Sequence, residues 1–310
     1  MKRRTLAASI LLLTSASAWS EPQEPAFKPQ DGPAVKLPKP VGIPRNRLSN
    51  RNINIVGGAE VGNADYMAVV GMVYSYPGNR NDLPQCTGVL IGPELVLTAA
   101  HCVCGSFVPT HIYVGRNPAG GKVDGHGYYE IRNGALRTAS GCTPGGGQNL
   151  KAGLDLALAK IIEPAIGIRT YSIAPPALID GAQSFRIVGF GATDTRAQVA
   201  PRRKMRAAVQ PLSKDCTARP GGVDPSAFGC QQGEEIVAKG QGVTDTCAGD
   251  SGGPLLVATS PEGTTVQVAG ITSRGIEKSP LKCGSGGIYE RMTPTAVRWI
   301  AAATEDLSRY

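Results

Sequence analysis

The chain has 310 residues, a formal net charge of +8 and 41% hydrophobic residues, enough apolar material for one large all-β unit or two small domains. Nine of the 32 Lys/Arg and three of the 24 Asp/Glu fall in residues 1–54, so the remainder is nearly neutral, which excludes the concentrated basic face that nucleic acid requires. The local run Arg202-Arg203-Lys204 reads as an exposed turn.

Met1-Lys2-Arg3-Arg4, a short apolar run over 6–13 and the small residues after it form the pattern of a signal peptide over 1–20, cut after Ala18 or Ser20. The run is too short to span a bilayer, so no stable membrane insertion is expected and the chain reads as secreted or periplasmic. Residues 21–54 contain Pro22, Pro25, Pro29, Pro33, Pro38, Pro40 and Pro44 and few large apolar side chains, the composition of an extended or disordered segment. It reads as a propeptide, a flexible tether being the alternative. From Ile55 onward, short apolar stretches at 67–73, 88–91, 94–98, 112–114, 154–161, 185–189, 254–258 and 266–272 alternate with turns rich in Gly, Pro, Asn and Asp. That spacing predicts an all-β sandwich or barrel. One helix is expected, at the C-terminus: Pro294 suits a first turn, and Val297, Ile300 and Ala301 form one apolar face. Gly145-Gly146-Gly147 reads as a loop, not a phosphate cradle.

The chemistry is concentrated in Gly249-Asp250-Ser251-Gly252-Gly253-Pro254 and Leu97-Thr98-Ala99-Ala100-His101-Cys102. Glycines around Ser251 let a substrate carbonyl approach the backbone, and the N–H groups of Gly249 and Ser251 can face a developing oxyanion. The pentapeptide also satisfies G-x-S-x-G, but all three histidines, His101, His111 and His126, precede Ser251, which excludes the Ser-acid-His order of α/β-hydrolases. An acid embedded in apolar sequence, Asp155 in Gly153-Leu154-Asp155-Leu156-Ala157-Leu158, can orient an imidazole and stabilise its cation; a strand-end cap is the bland alternative. His111 and His126 match no motif and read as loop or surface residues. His101-Cys102-Val103-Cys104 has metal-binding residue types, but tetrahedral zinc needs further ligands and an oxidising compartment favours bridges; neither metal nor other cofactor is expected.

In its His, Asp, Ser order and in four motifs running from Ile55-Val56-Gly57-Gly58 to the C-terminal helix, the chain resembles the trypsin-like branch of the chymotrypsin-family serine proteases. The resemblance implies an all-β fold of two six-stranded antiparallel barrels, with His101 and Asp155 on the first barrel and Ser251 on the second. It implies Ser251 as nucleophile, His101 as general base and then acid, Asp155 as orienting carboxylate, and Asp250 as partner of a freed Ile55 ammonium. Asp245, six residues before Ser251, matches the carboxylate at the base of the family's primary pocket, and Gly275 and Gly287 match its wall glycines. A buried Asp245 selects Arg or Lys before the cut bond. The resemblance also implies the bridges Cys86–Cys102, Cys216–Cys230 and Cys247–Cys283; Cys104 and Cys142 remain and are expected to pair. Two positions depart from the family. Arg274 stands where Trp is usual, which suggests a cationic wall for acidic substrate residues two to four places before the cut. Asn54 precedes Ile55 where a basic residue is usual, which points to activation by another protease, or to cleavage at Arg51 followed by trimming. The expected partners are therefore peptide substrates and an activating protease. A non-catalytic binding protein on the same scaffold and a serine esterase are the rivals, separated by phosphonate labelling of Ser251 and by amide turnover.

Overall fold

The computed structural model describes residues 55–62, 65–74, 84–118, 127–145, 154–197, 203–217, 224–260, 263–277, 279 and 281–310. The expected signal peptide and propeptide, and with them Asn54, His126, Gly146, Gly147 and Arg202, lie outside the described residues.

Six strands close the first barrel: β2 (Val69–Val73), β3 (Pro84–Gly92), β4 (Leu95–Thr98), β5 (His111–Tyr113), β6 (Tyr128–Thr138) and β7 (Ala157–Ile161), in the spatial order β2-β3-β4-β7-β6-β5 with β5 returning to β2. The short strand β1 (Ala59–Glu60) lies instead on the edge of a second sheet, beside β9 (Met205–Ser213). From there the order runs through β10 (Glu235–Lys239), β13 (Gly287–Arg291), β12 (Val266–Gly275), β11 (Pro254–Ala258) and β8 (Phe185–Gly189), and pairing of β8 with β9 closes six strands into the second barrel. Every strand pairing is antiparallel. This is the two-barrel architecture that the resemblance implies.

Burial explains which strands form where. In β2 all five residues are buried and β11 is buried at four of five. Such strands face the core on both sides, since β2 contacts β8 and β3 contacts β11 across the gap between barrels. By contrast β6, β9, β10 and β13 mix buried apolar residues with charges and lie outside the apolar stretches that mark strands in the sequence. Their pairing comes from partner strands and not from local pattern.

The short helices α1 (Pro176–Gly181) and α2 (Pro225–Phe228) are not marked by the sequence. The C-terminal helix α3 (Pro294–Leu307) is capped by Thr293, whose hydroxyl accepts the Ala296 N–H at 3.2 Å, with proline in the first turn. Its buried stripe is Ala296, Ile300, Ala303 and Leu307. The expected face was rotated: Val297 is 37% exposed and Ala301 is exposed. Spacings of four, three and four place the true stripe on one side, and that side meets the first barrel. Arg137 of β6 reaches Asp306 at 2.5 Å and Lys160 of β7 reaches the Leu307 carbonyl at 3.3 Å.

Two further expectations need correction. Arg203 is exposed and pairs with Glu60 at 2.7 Å, but Lys204 is 1% exposed. Its Nζ donates to the Tyr66 carbonyl at 2.9 Å and sits 5.5 Å from the Phe190 ring centre; the long apolar stem is covered while the charge keeps polar and aromatic partners. His111 is no loop residue: it begins β5, half-buried, with Nδ1 3.0 Å from the Thr110 hydroxyl.

Candidate active site

Beyond β4 the chain turns through the 3₁₀ segment Ala100–Cys102, which carries His101. A bridge from Cys102 to Cys86 of β3, with Cα atoms 6.2 Å apart, holds that turn, and the Tyr74 hydroxyl donates to the Cys102 carbonyl. A second bridge, Cys104–Cys142, ties the next residues to the segment after β6. Asp155 lies two residues before β7, outside the strand in which the sequence suggested it, and is 6% exposed. Its carboxylate accepts the Nδ1–H of His101 at 2.8 Å, the backbone N–H of His101 at 2.9 Å and the Ser273 hydroxyl at 2.6 Å. Burial acts to raise the Asp155 pKa, but the contacts from His101 and Ser273 outweigh it and hold the carboxyl below its ordinary value. With Nδ1 donating, Nε2 of His101 is left as an acceptor.

Ser251 is half-buried on the opposing turn. Its carbonyl accepts the Thr87 N–H at 2.8 Å and lies 3.5 Å from Cys102 Sγ, beside His101. Gly249 (φ 99°) and Gly252 (φ 79°) occupy left-handed backbone, and a Cβ at Gly252 would strike Thr98 Oγ1 and the Thr87 carbonyl. Among the described residues, the amides of Gly249 and Ser251 have no hydrogen-bond acceptor, which leaves two donors open. Asp250 is 1% exposed; its carboxylate accepts from Gly191 N at 2.7 Å and Cys247 N at 2.9 Å. Burial outweighs these bonds and pushes its pKa up to about 7. Ile55 is fully buried, and the carbonyl of Val56 accepts the Asp245 N–H at 3.1 Å.

Asp245 is 2% exposed and accepts three backbone N–H groups, from Thr246 at 2.8 Å, Gly284 at 2.8 Å and Gly286 at 2.9 Å. Burial still raises its pKa above the ordinary carboxylate value. Gly275 and Gly287 are cross-strand partners on β12 and β13. A Cβ at Gly287 would press on Thr246 Oγ1 and the Tyr289 hydroxyl at 2.8 Å, whereas at Gly275 the nearest atom is 3.7 Å away. The bridges Cys247–Cys283 and Cys216–Cys230 flank this region.

Arg274 differs from its expected role. The register of β12 against β13 shifts between Thr272 and Arg274, a bulge. Ser273 is buried there on Asp155, and Arg274 binds Glu235 through two nitrogens, at 2.6 and 2.9 Å, and the Gly229 carbonyl at 2.6 Å. Its charge is therefore compensated by a fully buried carboxylate and is not presented as a bare cationic wall. Glu290, 1% exposed, accepts the Asp155 N–H at 3.1 Å, and burial with neighbouring Glu235 and Asp155 pushes its pKa to about 8. Ser273, Glu235 and Glu290 carry no motif signal in the sequence. The sulfurs of Cys86 and Cys102 lie within 4.8 Å of a His101 ring nitrogen, but each is bonded to the other and neither is a thiolate.

A sequence model of the family described as Trypsin matches residues 55–300. The chain belongs to the trypsin family. It is 30% identical over 247 residues to the complement C1s subcomponent of Bos taurus, a match covering 73% of this chain and 33% of that one, so it spans about a third of that relative's length. It is 28% identical over 258 residues to a trypsin-like protease of Streptomyces glaucescens, covering 79% and 86% of the two chains. Among solved structures, neuropsin, a serine protease expressed in the limbic system of mouse brain, superposes with a TM-score of 0.59 at 22% identity, over 80% of this chain and 98% of its own. That likeness concerns the fold of this trypsin-family chain.

Proposed function

We propose that the chain is a secreted endopeptidase that cleaves peptide bonds after Arg or Lys, made as a precursor with a signal peptide over 1–20 and a propeptide over 21–54. The observation that carries the reading is the buried Asp155–His101 hydrogen bond at 2.8 Å, opposite a glycine turn that offers Ser251 and two unbonded amides. His101 Nε2 takes the proton of the Ser251 hydroxyl as Oγ attacks the scissile carbonyl, and the N–H groups of Gly249 and Ser251 receive the oxyanion. His101 then gives that proton to the departing amine, leaving an acyl-enzyme. Water attacks the ester, His101 accepts its proton, and collapse returns the proton to Ser251 while the acid leaves. Asp155 stays ionised throughout, and its depressed pKa suits that role.

Asp245 would neutralise the substrate's guanidinium or ammonium. Its three backbone bonds orient the carboxylate, yet among the described residues no cation lies within salt-bridge reach of it, so a cation relieves its burial. Asp250 stands in the same condition until cleavage before Ile55 creates an ammonium. Because Asn54 is a poor substrate for an enzyme of this specificity, activation is assigned to another protease, or to a cut after Arg51 followed by trimming. The test is turnover of peptide amides differing only in the residue before the cut, with Ser251→Ala as control. Fast cleavage after Arg and Lys, abolished in the variant, is expected. Equal cleavage after Phe and Leu would overturn the specificity, and full activity of Ser251→Ala would overturn the mechanism.

A further inference from the structure

Thr87, on β3 of the first barrel and fully buried, makes four hydrogen bonds toward the site. Its hydroxyl donates to the Gly249 carbonyl at 2.8 Å and accepts the Phe190 N–H at 3.1 Å. Its own N–H donates to the Ser251 carbonyl at 2.8 Å, and its carbonyl accepts the Thr98 hydroxyl at 2.8 Å. We propose that Thr87 is a positioning residue for the reaction: by anchoring the carbonyls of Gly249 and Ser251 it holds the peptide planes Gly249–Asp250 and Ser251–Gly252, each joined through one Cα to an amide that would bind the oxyanion. The proposal rests on the protease reading given above and adds to it a part that no motif marks.

The physical need is specific. Gly249 has φ 99°, a conformation with no side chain to restrain it, so its neighbouring peptide planes turn easily unless something outside the loop holds them. An amide that swings away from the reacting oxygen contributes nothing to the transition state. A threonine hydroxyl has one proton to give. Accepting from Phe190 N–H leaves that proton for the Gly249 carbonyl, so both bonds are made at once. The grip is also tied to rigid structure, because Thr87 pairs with Gly71 in the β2–β3 ladder and Thr98 pairs with Ala157 at the start of β7. Phe190 is followed by Gly191, whose N–H goes to Asp250 Oδ1 at 2.7 Å. Thr87 and Asp250 thus hold adjacent amides of one segment, and the nucleophile's turn is fastened from both barrels.

The test compares Thr87→Val, which keeps the shape and removes the hydroxyl, with Thr87→Ser, which keeps the hydroxyl and removes the methyl. Each is made in the full chain and processed to the active form, with melting temperature recorded alongside kcat and KM on one peptide amide. Thr87→Val is expected to lose ~10–100-fold in kcat with KM changed less than ~3-fold, because the contact acts on the transition state and not on the bound substrate. Affinity for a peptide boronic acid should fall by the same factor as kcat/KM. Thr87→Ser should stay within ~3-fold of the parent. If the valine variant does not fold, Thr87→Ala is read in the same way. Unchanged kcat in the folded hydroxyl-free variant, or equal losses in the valine and serine variants, overturns the proposal. Labelling of the parent by an organophosphonate is the separate control: a parent that does not label refutes the protease reading itself, whereas a labelled parent with unchanged Thr87→Val kinetics refutes only the role of Thr87.

Discussion

The two sides of the candidate site differ in how their charges are satisfied. On the first-barrel side, Asp155 is buried but surrounded by donors, and its pKa is held down. On the second-barrel side, Asp245 and Asp250 are as deeply buried, accept only backbone N–H groups, and have raised pKa values. Similar burial with opposite shifts shows that partners, and not depth, decide the state of a carboxylate. Under the proposed function the difference has a meaning: the catalytic pair is complete within the fold, while the second side is completed by cations that arrive, one on the substrate and one made by cleavage.

The largest effect is expected at the two residues proposed to carry the proton and the acyl group. Ser251→Ala and His101→Ala should each lower kcat for amides by ~10⁴–10⁶ while leaving the fold intact, with a small residue of rate from the open amides; steady-state assays on purified variants check this. Smaller but of opposite sign for different substrates is Asp245→Ser, which should cost ~10³-fold or more on Arg substrates and relatively favour apolar ones. A substrate panel that keeps its order in Asp245→Ser would contradict a substrate cation at Asp245. The same site predicts that benzamidine, a cationic probe, binds less tightly as pH falls through the raised Asp245 pKa, measured by competition.

Stability should also follow the comparison. In the uncleaved chain Asp250 has its folded pKa raised to about 7 and Glu290 to about 8. A raised carboxyl favours the folded state below the unfolded pKa, and that contribution disappears as pH rises through the folded value. Uncleaved Ser251→Ala protein should therefore lose stability between about pH 4 and pH 8, by up to ~4 kcal/mol for Asp250 alone, read by denaturant titration. The smallest effect is at Arg274: Arg274→Gln leaves Glu235 buried without its cation and should cost ~3 kcal/mol, without the change in subsite charge preference that an unpaired arginine would give.

The sequence marks what is local and apolar. The bounds of β8 and β11 coincide with their apolar stretches because those strands are buried throughout or nearly so. It does not mark β6, β9, β10 or β13, which carry charged residues among their apolar ones, buried Glu235 and Glu290 included, and whose registers are set by neighbours far along the chain. At the site the contrast is the same. His101, Asp155, Asp245, Asp250 and Ser251 stand in short motifs. Thr87, Ser273, Glu235 and Glu290 are ordinary residues that acquire roles only when two barrels bring strands together. The buried Lys204 and the rotated stripe of α3 belong with them, since each depends on which face a distant element covers.

The most direct measurement is a carbon-detected NMR titration of the Asp250 carboxyl in Ser251→Ala protein, before and after cleavage between Asn54 and Ile55. A pKa near 7 is expected in the uncleaved chain, with a marked fall after cleavage, when an ammonium reaches the buried carboxylate. An unchanged pKa after verified cleavage would contradict it.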